Sequence, residues 1–392
     1  MSKGPIGNPE APYPPPRPVA VGDILHLPTG TLVSPEQMLT NVIDSRVVFV
    51  GETHDNPAAH RLQTSILAAM AARHPGRVSL GMEMFNTEQQ TVLDRWVAGE
   101  LDEKSFLKEV RWFDNWRMDF DYYRELLLLA REKQIPVIGL NAPKSLVRAV
   151  GRQPVAKLDA ELRAQLPDFD LADPYQRALT EAIYAGHGRS SHMIDGFHRV
   201  QTLWDEMMAE NVVQTLQAGG PEQRMVVIAG GNHIRFGFGI PRRVYRRLPV
   251  SYSLIGVYEI EIGADKQDRT MDVTLPKFPM VAYDYLNFVT YESLPGDRVK
   301  LGVRFTSEEE QVVVEAVVPG SAADQAGVVA GDVLLRLGES ELREGYDLVY
   351  EISRYRESDQ SELTILRDGQ EMRLPVVFVP LPVAHEAGKD KD

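Results

Sequence analysis

Five short runs of apolar residues, many of them β-branched, recur through the first two-thirds of the chain: Val47 to Val50, Val78 to Met82, Pro136 to Leu140, Met225 to Ala229 and Ser253 to Val257. Each is nearly continuous in hydrophobicity, the pattern of a strand covered on both faces. Between them lie helical patterns. His60 to Arg73 places Leu62, Ile66, Leu67 and Met70 on one face, Tyr122 to Lys133 carries Leu126, Leu127 and Ala130, and Val200 to Leu216 carries Leu203, Met207, Val212 and Leu216. Strand and helix alternating in this way predict an α/β domain, a mostly parallel sheet with helices on both faces. Arg152 to Ser191 has no strand pattern and reads as a helical insertion.

The texture changes near residue 295. Short alternating runs follow at Lys300 to Phe305, Gln311 to Val318, Asp332 to Leu337, Leu363 to Arg367 and Met372 to Phe378, with turn signals at Pro319-Gly320 and Asp368-Gly369. Helical pieces fit at Ala322 to Ala326 and Gly345 to Tyr355. We therefore expect an α/β domain over 21–292 and a small β-rich domain over 297–380. A disordered proline-rich tether over 1–20 and a disordered tail over 381–392 would flank them.

Composition narrows the chemistry. The net charge of −14 argues against a nucleic-acid partner. Cysteine is absent, so any metal must be held by His, Asp, Glu or Tyr. Seven of the 26 prolines fall in the first 18 residues, no apolar stretch approaches a membrane span, and the first residues lack an apolar signal core. Taken literally, that start reads as cytoplasmic.

In an open α/β sheet, ligands bind beyond the carboxyl ends of the strands. Gly51-Glu52-Thr53-His54-Asp55-Asn56 follows the first strand, Glu83 ends the second, Asn141 the third, and Gly230-Gly231-Asn232-His233-Ile234-Arg235 the fourth. Glu52, His54, Glu83 and His233 thus converge on one edge. Such a set suits a divalent metal, or a carboxylate acting as base beside an imidazole in a hydrolase. Arg242, Arg243, Arg246 and Arg247, with Arg235 before them, form a dense basic patch that could steer an anion. Trp112, Phe113, Trp116, Phe120, Tyr122 and Tyr123 read as core packing or as the wall of a flat ligand.

These strand-end segments, with His60, Gln63, Leu80 to Phe85, Ile138 to Pro143, Gln201, Trp204-Asp205, Met208-Ala209 and Gly231-Asn232-His233, resemble the ChaN-like haem-binding proteins, a family of bacterial iron-regulated lipoproteins. The resemblance runs over about residues 21 to 290. The wider group holds erythromycin-esterase-like and TraB/Tiki-like proteins, some of them hydrolases. The resemblance implies haem in iron acquisition, bound cofacially between two subunits with a tyrosine oxygen on the iron. The insertion supplies Tyr175, Tyr184, His187, His192 and His198, of which Tyr184 is the preferred ligand. The haem-binding set is then His54, His233, Tyr184, His187 and Arg235. It also implies a homodimer and a lipid-anchored periplasmic or outer-membrane location.

The C-terminal segment, with Val317-Val318-Pro319-Gly320-Ser321, Ala330-Gly331-Asp332-Val333-Leu334 and Leu366-Arg367-Asp368-Gly369, resembles the PDZ domains of HtrA-type proteases. A PDZ domain takes up the C-terminal peptide of a partner as an added strand. Here Leu301, Gly302, Val303, Arg304 and Phe305 would receive it. Two other readings stand beside haem binding: a metal-dependent hydrolase built on Glu52, His54, Glu83 and His233, and a non-catalytic PDZ scaffold.

Overall fold

The computed structural model describes residues 13–186, 193–269, 273–296, 298–308 and 310–380. The chain divides into two compact units, Met1–Ser293 and Leu294–Asp392.

The first unit is built on one sheet of β1 (Ile24–His26), β2 (Thr31–Val33), β3 (Val47–Glu52), β4 (Val78–Asn86), β5 (Val137–Asn141), β6 (Arg224–Gly230), β7 (Tyr252–Ile262) and β8 (Tyr285–Tyr291). Their order is β2-β1-β8-β7-β3-β6-β4-β5. The pairs from β8 to β5 are all parallel, whereas β1 runs antiparallel to both β8 and β2. The five apolar runs are β3 to β7. Val47, Val48, Phe49 and Val50 are fully buried, because side chains alternate across a strand and this strand is covered twice. Val47 and Phe49 join a core with Met208, Val212 and Leu216 of helix Ile194–Ala218. The opposite side is covered by helix Pro57–Arg73, which buries Ala59, Ile66, Leu67 and Met70. Truncating Phe49 to alanine in such a site costs about 3–5 kcal/mol.

Helix Pro57–Arg73 starts where it does for local reasons. The Asn56 side chain accepts the Ala58 N–H, and Pro57 occupies the first turn, where its missing N–H costs nothing. Asn56 also ties this start to the far strands, through its amide on the Glu259 carboxylate and the Thr290 carbonyl. The strand-end loop is thereby fixed at both ends. The expected insertion carries helices Ala160–Ala164 and Pro174–Gly186 and no strand among its described residues.

The second unit is an antiparallel sheet of β9 (Val303–Glu308), β10 (Gln311–Val317), β11 (Val333–Leu337), β12 (Ser340–Glu341), β13 (Gln360–Arg367) and β14 (Gln370–Val377), with helices Ala322–Gln325 and Gly345–Ser353. The order is β14-β13-β11-β10-β9, with β12 on β11. Asp368 and Gly369 join β13 to β14 with φ of 51° and 78°. Positive φ at both central residues suits the right-handed twist of a two-residue hairpin. Val312, Val314, Leu334, Leu348, Leu363 and Ile365 form this unit's own core.

Candidate functional site: a cleft at the carboxyl edge of the sheet

Parallel pairing puts the ends of β3, β4, β5 and β6 on one edge, and there a cleft of ≈ 1240 Å³ opens. Glu52, His54, Glu83 and His233 all line it. They are organised as two carboxylate–imidazole assemblies, one to each side of Gly230.

In the first, His54 Nδ1 donates to Glu52 Oε1 at 2.7 Å, the Tyr123 hydroxyl donates to the same oxygen at 2.8 Å, and Gln63 Nε2 donates to Oε2 at 2.6 Å. His60 stands 3.6 Å from Oε2 and bonds the His54 carbonyl through Nε2. Burial alone would raise the Glu52 carboxyl, but the His60 and His54 imidazoles and the Gln63 amide overcome it and hold it down at about 2. The same carboxylate, with burial, pushes the Tyr123 phenol well above its usual range. His54 is raised against the effect of its own burial, by Glu52 and then Glu83. Its ring meets Trp116 edge-on at 4.9 Å, and its Nε2 has no hydrogen-bond partner among the described residues. A carboxylate held down in this way, with its oxygens engaged by three donors, is a weak general base near neutrality. Glu52 is an anchor for imidazoles.

In the second assembly, His233 Nδ1 bonds Asp205 Oδ1 at 2.7 Å while Nε2 faces Glu83 Oε1 at 3.5 Å. Glu83 Oε2 accepts the Gly230 N–H at 2.7 Å. Burial would lower the imidazole, but Glu83 and Asp205 raise it to about 9. Behind Asp205 runs a buried polar chain. Gln176 Nε2 donates to Asp205 Oδ2 at 2.6 Å, Arg243 donates to Gln176 Oε1 at 2.6 Å, and Arg243 Nε meets Glu206 at 2.9 Å. Arg243 fixes which way the Gln176 amide points, the amide fixes Asp205, and Asp205 fixes the proton on His233 Nδ1.

Gly230 separates the two imidazoles' surroundings. A Cβ there would stand 3.0 Å from His54 Cε1 and 3.5 Å from Glu83 Oε2. Its register partner in the sheet is Glu52. Gly239 is equally constrained, since a Cβ would lie 2.2 Å from the His233 carbonyl oxygen and 2.9 Å from Asp205 Oδ1.

Several expectations need correction. Among the described residues, no three or more His, Cys, Asp or Glu side chains are arranged to hold a metal ion. Of the expected set, Glu52 is engaged by its own donors and His233 Nε2 faces Glu83 at 3.5 Å. Tyr184 is not a cleft residue. It is buried in helix Pro174–Gly186 with its ring 5.1 Å from Phe197, and its neighbour Ile183 lines the cleft instead. Tyr175 stacks on Phe238 away from the cleft, and His198 is buried without lining it. His187 and His192 lie outside the described residues. The arginine cluster is not a free patch. Arg242 pairs with Asp173, Arg243 with Glu206, Arg246 with Asp168, Asp170 and Glu206, and Arg247 with Glu206 and Glu210. Arg235 does line the cleft. Of the aromatic run, Trp112 and Tyr123 are core and Trp116 faces the cleft, opposite Trp204 and Phe197 from helix Ile194–Ala218. Asp205, Gln63 and His60 carried the resemblance without a role, and Gln176 gave no signal in the sequence.

In the C-terminal unit, β9 is the sheet's edge strand, with helix Gly345–Ser353 beside it. Val303, Arg304 and Phe305 lie on β9, Arg304 paired with Glu315 at 3.0 Å. Leu301 is buried, and Gly302 takes φ +84°, a conformation that favours glycine. The Ala323 and Val318 N–H groups donate to the Leu301 and Gly302 carbonyls, which fixes the loop. Gly345 lets the Phe305 ring against the start of the helix, where a Cβ would stand 2.5 Å from it.

The carboxyl-edge cleft and this edge strand correspond to two recognised domain types. The model of a family described as haem-binding uptake, Tiki superfamily, ChaN, matches residues 38–244, and that of the PDZ domain matches 299–377. The first match covers just over half of the chain, so the chain belongs to the ChaN-like haem-binding family, and it carries a PDZ domain after that unit. A solved structure of ChaN from Campylobacter jejuni, with cofacial haem binding, superposes with a TM-score of 0.53 at 16% identity. It covers 69% of this chain and 98% of that one, a likeness of fold. The chain is 22% identical over 242 residues to the chloroplastic protein RETICULATA-RELATED 5 of Arabidopsis thaliana, spanning 56% of this chain and 32% of the relative. It is 33% identical over 78 residues to the serine endoprotease DegS of Haemophilus influenzae, 20% of this chain and 23% of that one. The chain thus spans a third or less of each of these two curated relatives. Among the described residues, no helix is long and apolar enough to cross a membrane.

Proposed function

We propose that the cleft binds haem in bacterial iron acquisition, within a unit spanning 21–292. The observation that carries this reading is an imidazole held for ligation inside an aromatic cleft. His54 is anchored through Nδ1 by a carboxylate, and among the described residues its Nε2 is left without a hydrogen-bond partner beside Trp116. A carboxylate on the far nitrogen orients a ligating histidine and raises its basicity. Trp116, Trp204 and Phe197 supply the flat apolar walls that a porphyrin needs. Bound haem would supply iron for His54 to ligate. Glu52 would hold the ring's tautomer, and the Asp205–His233–Glu83 assembly would keep a protonated imidazole, balanced by its own two carboxylates, beside the ligand. Tyr258, half-buried in the same wall, is the phenol available in place of Tyr184.

The PDZ unit, spanning 297–380, would add a partner's C-terminal peptide to the open edge of β9 next to Phe305. A homodimer and a lipid-anchored periplasmic location complete the proposal.

Hemin titration tests it. The wild-type chain should give a saturable Soret shift, His54→Ala should abolish or move that band, and Glu52→Gln should shift it by releasing the ring. Tyr258→Phe separates a phenolate ligand from an imidazole one. Absence of a saturable Soret change in the wild type would overturn the reading.

A further inference from the structure

The cleft's charges do not balance within the protein. Every carboxylate lining it has partners on the chain: Glu52 has His54 and Tyr123, Glu83 has His233 and the Gly230 N–H, Asp55 has Lys266 and Tyr291, and Glu259 has Asn56. Among the described residues, the cleft-lining cations Lys144, Arg148 and Arg235 form no ion pair with a carboxylate, and Lys144 feels the Asp114 carboxylate only from beyond ion-pair distance. Lys144 Nζ donates only to the Asp114 carbonyl, at 2.6 Å, a contact that satisfies a hydrogen but not the charge. This contrasts with Arg242, Arg243, Arg246 and Arg247, each matched with acid in an acidic chain.

Lys144 and Arg148 stand four residues apart on helix Lys144–Arg152, so they share one face. Their helix follows β5 directly, which places that face on the cleft. Folding alone gives no reason for them there. The helix has no acidic residue in its first turn and no side-chain cap, and a lysine at its first position opposes the helix dipole. Burial, then Arg117, Arg111 and Arg148, depress the Lys144 ammonium against the opposing pull of Asp114. The same lining holds apolar residues, among them Val147, Trp204 and Phe197.

From this arrangement we infer that Lys144 and Arg148 form an anion-recognition edge for the carboxylates of a flat apolar dianion, so that the cleft selects free-acid tetrapyrroles over their esters. The inference rests on the haem reading and adds the direction of binding. The ligand's carboxylate edge faces the helix after β5, and its opposite edge faces β7. Recognition through this edge does not depend on iron.

Metal-free protoporphyrin IX and its dimethyl ester, titrated by fluorescence into the full chain at low salt, test this without a metal ligand. The diacid should bind about tenfold more tightly than the diester, a size that allows for solvent screening of exposed cations. Lys144→Met/Arg148→Met should bring the two affinities within about threefold by weakening the diacid alone. Lys144→Arg/Arg148→Lys, which keeps the charges, should retain the preference, and Arg73→Met, at the C-terminal end of its helix and not lining the cleft, serves as control. Equal affinity of the two porphyrins in the wild type, or an unchanged ratio in the double methionine variant, would overturn the inference while leaving haem binding intact. Binding of neither porphyrin together with no hemin response would overturn both.

Discussion

Replacing Asp205 with asparagine tests the second imidazole assembly at its most constrained atom. The displacement of His233 from 6.5 to about 9 is worth roughly 3 kcal/mol of stabilisation of its charged form. Because the folded pKa lies above the unfolded one, this contribution is complete below about pH 6.5 and is lost as pH rises through 9. Wild-type unfolding free energy should therefore fall across that window. Asp205→Asn removes one of the two carboxylates responsible, so the His233 midpoint should drop by about 1–2 pH units, and the pH window over which stability falls should narrow, with the total fall cut by roughly half. A second cost does not depend on pH. Gln176 and His233 both present N–H groups to Asp205, so an asparagine must turn its own NH₂ toward one of them, a conflict worth about 1–3 kcal/mol. Proton NMR of the imidazole ring and urea unfolding between pH 6 and 9.5 read both effects. A wild-type midpoint near 6.5, or midpoints in the two proteins within half a pH unit, would refute the reasoning.

Two further predictions concern other parts of the chain. Tyr123→Phe removes one donor from a buried carboxylate and should cost about 1–3 kcal/mol. Glu52 has a depressed folded pKa, so its contribution is present above about 4.5 and lost as pH falls through about 2; the variant's acid unfolding, followed by circular dichroism, should move to higher pH. In the PDZ unit, the Cβ added by Gly345→Ala would stand 2.5 Å from the Phe305 ring, so the variant should displace that ring and weaken uptake of a hydrophobic C-terminal peptide about tenfold by fluorescence anisotropy, and an unchanged affinity would exclude that ring from the groove.

The central sheet is legible in the sequence because β3 to β7 are buried on both faces and so read as unbroken apolar runs. Strands β1 and β2 are three residues each, too short for periodicity to show. Strand β8 buries Asn287, whose amide bonds the Gly256 carbonyl, and that polar residue interrupts its pattern. The strand-end cluster is legible for a topological reason, since parallel strands bring their carboxyl ends together wherever the helices run. What a one-dimensional reading misses is rotation and partnership. One residue along a helix is about 100°, enough to turn Tyr184 away and Ile183 toward the cleft. The arginine cluster looks free in the sequence because its acids arrive from elsewhere, Asp168, Asp170 and Asp173 from the segment before helix Pro174–Gly186 and Glu206 and Glu210 from helix Ile194–Ala218. Glu52 and Glu83 look alike as strand-end carboxylates, and only their donors distinguish an anchor from the counter-charge of His233.

Gly230 has a bearing on how far this site could be altered. With no side chain, it leaves a gap one carbon wide, and the separation of the His54 ring from Glu83 is set by that gap. A methyl group at this position would act as a spacer, and the electrostatic coupling between the Glu52 and Glu83 sides would loosen with no charged residue replaced. The field inside the cleft is therefore adjustable through backbone geometry alone, at a residue that bears no functional group.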